Sequence, residues 1–181
     1  MSSSTMKRKI VQYFNEALAM ENAATDRIQL RINETPVEQT KQQLQYHLEQ
    51  TFQQQERLRN IITKLGGDPT TVKATLPKLM PMNRGTTPNT AKETDTSLAS
   101  SESQDAVDAE RELIQTKEDA IIENAEIVSY KMLIHLTQEI GLQDAVAPLS
   151  QSLREETAMV NFIMGNAPLL LRLMLPKLEA S

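Results

Sequence analysis

The chain has 181 residues, a formal net charge of −5, 3% aromatic residues and neither Cys nor Trp. Without cysteine there is no disulfide framework, thiolate zinc site or redox thiol, and the acidic balance argues against a broad grip on nucleic acid, Lys7, Arg8 and Lys9 being the basic cluster. Scarce sheet formers beside plentiful Met, Gln, Glu, Leu and Ala predict one all-α domain over 1–181.

The first helix begins after Ser4 or Thr5 and runs to about Asn33, because Ile10, Phe14, Ala17, Ala24 and Ile28 recur at helical spacing without an intervening proline. Residues 10–15 lack the continuous apolar run of an export signal, so the expectation is a cytoplasmic protein. Thr35, Pro36, Val37 and Glu38 supply a capping hydroxyl, a proline at the first helical position and a carboxylate three residues past the cap. The second helix, with Leu44, Leu48, Leu58, Ile61 and Leu65, is then an antiparallel neighbour of the first and stops at Gly66 and Gly67.

Composition changes over 70–105 to Pro, Thr, Ser and Asn, with Leu76, Leu79, Met80 and Met82 as the appreciable apolar cluster. This reads as a long crossover, disordered over 86–103, that carries the chain back along a helix about 45 Å long. A third helix over 106–140 should turn Leu113, Ala120, Ile127, Tyr130 and Ile134 inward and stop at Gly141. The fourth carries Ala145, Leu149, Leu153, Val160 and Ile163, with Pro148 near its first turn, and ends near Gly165 and Asn166. A short fifth helix within 167–178 is apolar on most sides and should dock on the bundle or on another subunit; Arg172 interrupts its apolar run far below the roughly 20 residues of a membrane span. Two hairpins joined by a crossover make a ferritin-like antiparallel four-helix bundle.

Certain polar residues stay in phase with the apolar stripes. Glu21 falls between Ala17 and Ala24, and on helix two His47 opens a polar interval that includes Gln50, Thr51 and Gln54. Glu123 lies three residues after Ala120 with Glu126 one position round the helix, and on helix four Glu156, next to Glu155, lies between Leu153 and Val160. Carboxylates from several helices with an imidazole are how a bundle holds two divalent ions, although the usual Glu-x-x-His pairs are missing here: Leu44 precedes His47 and Met132 precedes His135 by three. The alternative is a buried network satisfied by its own hydrogen bonds. His135 reads as a surface or interface residue, and the methionines as core filling.

The motif His47-Leu48-Glu49-Gln50-Thr51 followed by Glu56-Arg57-Leu58, with Ala19-Met20-Glu21, Glu123-x-x-Glu126, Tyr130, Gly141-Leu142 and Leu153-Arg154-Glu155-Glu156, resembles the YciE/YciF-type stress-response proteins of the ferritin-like superfamily. The resemblance spans roughly 13–163. It implies a small helical cytoplasmic protein, often a homodimer, with a dinuclear iron or manganese centre and no organic cofactor. Its metal ligands would be drawn from Glu21, His47, Glu123, Glu126, Glu155 and Glu156, with Gln50, Gln54 and Tyr130 around them. Gln50 stands where the family has a second Glu, Asn124 where it often has His, and Gln54 where it can have His, so the centre is weaker, mononuclear or lost.

Two functions follow. One is metal binding with oxygen or peroxide chemistry. The other is a non-enzymatic helical assembly protein that has lost the centre. A nucleic-acid-protecting shell ranks behind both because of the charge.

Overall fold

The helical periodicities close into four helices, α1 (Ser3–Glu34), α2 (Glu38–Lys64), α3 (Gln104–Glu139) and α4 (Gln143–Glu179). The structure is a computed structural model that describes residues 3–78 and 103–179, and no strand occurs among the described residues. Leu79, Met80, Met82 and nearly all of the 86–103 stretch lie outside the described residues. The antiparallel hairpins α1–α2 and α3–α4 pack on each other through α1 against α3 and α2 against α4, as an all-α bundle.

Glycine ends α2 and α3 in the same way. Gly66 and Gly141 adopt φ values of 70° and 74°, and the amides of Gly67 and Leu142 reach back to the carbonyls of Ile62 and Thr137 at 3.0 and 2.8 Å. The start of α2 differs from the sequence expectation. Thr35 does not cap it; the helix begins at Glu38 after Val37, which makes no side-chain cap. The Thr35 hydroxyl accepts from the Val37 amide at 3.3 Å and donates to Glu112 of α3 at 3.1 Å, so a contact between hairpins has displaced the local cap.

The expected break at Gly165 and Asn166 and the separate fifth helix are corrected: α4 continues to Glu179 through Pro148, Pro168 and Pro176. Gly165 does not enter the left-handed region, and the Asn166 side chain donates to the Phe162 carbonyl at 2.9 Å. The reason is phase. Met159, Ile163, Leu170 and Met174 are all buried, at spacings of four, seven and four, and a break between 163 and 170 would lose the packing of Leu170 and Met174 on Ala109 of α3. By length and composition α4 could also cross a bilayer, with a mean hydropathy of 1.5 over its most apolar 18-residue stretch.

Residues 67–78 leave α2 as a strap along α1. The Asn15 side chain donates to the Asp68 carbonyl (3.0 Å) and accepts from the Thr70 amide (2.7 Å). Asn22 donates to the Thr70 and Val72 carbonyls, and the Ala74 amide reaches the Ala19 carbonyl at 2.8 Å.

Besides a smaller cluster of Ala109, Leu170 and Met174, the apolar core has two main parts. One joins Phe14, Leu18, Leu58, Ile62, Tyr130 and Leu149; the other joins Ala24, Ile28, Leu44, Met159 and Ile163. On every helix, buried polar residues occupy the turns between these parts: Glu21 on α1, His47, Thr51 and Gln54 on α2, Glu123 and Glu126 on α3, and Glu156 on α4.

Candidate metal centre

Each helix brings its polar residues to this layer by continuing its buried stripe. The series Phe14, Ala17, Glu21, Ala24 and Ile28 is buried throughout, with Glu21 itself 1% exposed. On α2, Leu44, His47, Thr51, Gln54 and Leu58 form the same kind of ridge.

Helix α3 is rotated from the expected stripe. Leu113, Ala120, Ile127 and Ile134 are only half-buried, while Glu112, Gln115, Asp119, Ile122, Glu123, Glu126, Tyr130 and Leu133 face in. Both Glu123 and Glu126 therefore enter the core.

At the centre, the His47 Nε2 lies 3.1 Å from Glu123 Oε2 and 3.4 Å from Glu156 Oε2. These three residues, all buried, offer ligand atoms within 4.8 Å of one another and could hold a metal ion. The His47 Nδ1 faces Gln50 Oε1 at 3.3 Å. An amide oxygen only accepts, so a ring proton on Nδ1 could be donated to Gln50, and in that tautomer Nε2 is the nitrogen available to a cation beside the carboxylates. Tyr130 donates its phenol proton to Glu21 Oε1 at 2.5 Å. Gln54 donates to Glu156 Oε1 and, at 3.1 Å, to Glu155 Oε2.

Glu155 faces elsewhere. Arg57 grips it with contacts of 2.6 and 3.0 Å, and Gln151 adds a third donor, so its oxygens are satisfied within the protein. The opposite holds at Glu21 Oε2, Glu126 Oε1, Glu156 Oε2 and Gln54 Oε1, which are buried without a hydrogen-bond partner. An unsatisfied buried acceptor costs about 1–3 kcal/mol, and four together call for a donor or a cation.

Electrostatics agree with geometry. Burial pushes the carboxyls of Glu21, Glu126 and Glu156 well above the ordinary range, and mutual repulsion adds to it: Glu156 acts on Glu21, Glu21 on Glu126, and Glu123 on Glu156. Burial, with the charges of Asp119 and Glu21, moves Glu123 up to about 7, although its contact with Glu156 pulls the other way. Burial and the Glu21 charge also raise the Tyr130 phenol. The donors are oxygen and imidazole, with no sulfur, which suits hard and borderline divalent ions; the unpartnered oxygens and the donor chemistry both fit such an ion.

Residues 9–173 match the family described as a domain of unknown function, DUF892. The chain belongs to the DUF892 family. Two solved structures share the fold at low identity. One is a protein of Xanthomonas campestris pv. campestris with a TM-score of 0.68 and 18% identity, the match covering 94% of this chain and 96% of that one. The other, YcfI of Rhodopseudomonas palustris, carries a provisional description as a structural protein and has a TM-score of 0.62 and 21% identity, covering 87% of this chain and 92% of that one. No curated protein matches the chain.

This DUF892 chain also holds a buried ionic layer that the sequence reading missed. Arg31, fully buried, meets Asp119 at 2.7 Å and Glu112 at 3.0 Å, and Arg27 meets Asp119 at 2.9 Å and Glu118 at 3.0 Å. Burial alone would lower the Arg31 pKa, but Glu112 and Asp119 outweigh it and raise the value. The available signal was Arg27 and Arg31 at a spacing of four on α1, facing acids at a spacing of seven, Glu112 and Asp119, on α3. His135 is exposed, as expected.

Proposed function

We propose that this DUF892 protein binds divalent metal in the polar layer of its bundle, with His47, Glu123 and Glu156 as the nucleus of the site and Glu21 and Glu126 supplying oxygens for a second ion, iron or manganese. The observation that carries this reading is an imbalance of charge. Glu21, Glu123, Glu126 and Glu156 are buried together, and among the described residues none of them forms an ion pair with Lys or Arg. Acids elsewhere in the core are matched: Glu155 by Arg57, and Glu112, Glu118 and Asp119 by Arg31 and Arg27. Charges left in a dry interior must be neutralised by protons or by a cation, and two divalent ions match four carboxylates.

A redox-active pair of ions held there would supply electrons to dioxygen or peroxide, the chemistry implied by the likeness to the YciE/YciF-type stress proteins. The chain's own residues supply the setting. Gln50 offers an acceptor to the His47 Nδ1, Tyr130 holds one Glu21 oxygen and leaves the other free, and the apolar layers on either side exclude water. Glu155 belongs to the support rather than to the ligands, because Arg57 and Gln151 already occupy its oxygens.

The test is metal content by mass spectrometry after purification without chelator, alongside His47→Ala and Glu156→Ala. Near-stoichiometric iron or manganese in the native protein, falling at least about tenfold in both variants, is the expected result. A native protein that stays metal-free and does not bind added iron or manganese would remove the reading.

A second reading concerns assembly. Leu169 and Leu173 on one side of α4 and Leu171 and Leu175 on the other are exposed, and apolar faces of this kind support self-association as a homodimer without competing with the metal site.

A further inference from the structure

We propose that Gln54 is itself a metal ligand, through its amide oxygen, and that it sets the metal preference of the centre. This deepens the metal-binding reading and rests on it.

The argument begins with what an amide can and cannot do. Its nitrogen only donates and its oxygen only accepts, and the two ends are distinguished by their partners. The Gln54 nitrogen lies between two carboxylates, Glu155 Oε2 at 3.1 Å and Glu156 Oε1. Carboxylates accept, so the NH2 end belongs there and a flip would set oxygen against oxygen. Glu155 cannot turn away, because Arg57 grips both of its oxygens. The chain Arg57, Glu155, Gln54 therefore fixes which end of the amide faces which way, from the bundle surface inward.

The consequence falls on Oε1. Gln54 is fully buried and its carbonyl oxygen has no partner. It belongs to the same side chain that holds Glu156, whose other oxygen, also without a partner, lies 3.4 Å from His47 Nε2. A neutral carbonyl oxygen is a good donor to a hard divalent cation and a poor one to softer ions that prefer nitrogen. With His47 the one imidazole in the layer, an amide at position 54 keeps the donor set rich in oxygen and favours manganese relative to zinc; a second imidazole there would move the preference the other way.

The experiment compares the native protein with Gln54→His and Gln54→Leu, using Mn2+ and Zn2+ as probes. Affinities are measured by competition against a chelating dye, and the Mn2+-loaded proteins are examined by electron spin-echo spectroscopy, which detects imidazole nitrogen bound directly to manganese. Gln54→Leu should weaken Mn2+ binding by about tenfold or more. Gln54→His should raise the Zn2+ to Mn2+ affinity ratio by about tenfold and add a second imidazole nitrogen to the echo signal; a side chain with a purely structural role would do neither. If Gln54→Leu does not fold, the histidine variant decides alone. Native protein that binds Mn2+, with a histidine variant showing the native nitrogen signal and affinity ratio, overturns the assignment of Gln54 and leaves the metal site standing. Native protein that binds neither ion overturns both.

Discussion

Glu123 carries the clearest dependence on pH. Its carboxyl is raised from 4.5 to about 7, so in the metal-free folded protein it keeps a proton that the unfolded chain has already released. For an acid raised on folding, the stabilisation is complete below the unfolded value and lost as pH rises through the folded one. Glu21, Glu126 and Glu156 shift in the same direction. Metal-stripped protein should therefore melt several degrees lower at pH 8 than at pH 5 in calorimetry, whereas metal-loaded protein should not, because the ion replaces the protons. A metal-free melting temperature that climbs over this interval would contradict the electrostatics of the layer. Arg31 gives a second prediction: Arg31→Met leaves Glu112 buried without its charge partner and Asp119 held by Arg27 alone, and should cost about 3–5 kcal/mol in urea denaturation. Glu21 and Glu156 were legible in the sequence because each interrupts an apolar series without leaving its phase. Arg31 was not, since a lone sequence places charge outside, and its partner Glu112 lies 81 residues further along the chain.

Among the elements, the helix ends marked by Gly66 and Gly141 were readable because a left-handed residue after a helix is a local requirement that glycine meets. The run of α4 through Gly165 was not readable, because what holds it is the distant contact of Leu170 and Met174 with Ala109. The same difference governs the glycine variants. A Cβ at Gly165 would meet nothing within 4 Å, so Gly165→Ala should stabilise by about 0.5–1 kcal/mol, whereas a cap between two helices would make it destabilising. At Gly67 a Cβ would collide with Val11 of α1, so Gly67→Ala should lower the melting temperature. The face of α3 was misjudged for an electrostatic reason: the aliphatic stripe Leu113, Ala120, Ile127 and Ile134 gives way to the acidic one because α1 supplies arginines and the polar layer calls for carboxylates.

For the whole molecule, the fold class followed from the helical periods, the two tight hairpin turns and the length of the crossover. What the sequence left open was how the layers alternate along the bundle axis: apolar, carboxylate, apolar, ionic, apolar. The proposed self-association belongs to this scale. Leu171→Glu combined with Leu175→Glu should shift the mass measured by light scattering towards the monomer with metal content unchanged; an unaltered mass would remove the α4 end as the contact.

The donors of the polar layer are divided between the hairpins, with Glu21, His47 and Gln54 on one and Glu123, Glu126 and Glu156 on the other. A bound ion would thus act as a clasp between two halves of the chain. A cut made between Lys78 and Ser103 would leave two fragments whose reunion depends on ion concentration, so that the protein's mechanical integrity would report the supply of metal around it.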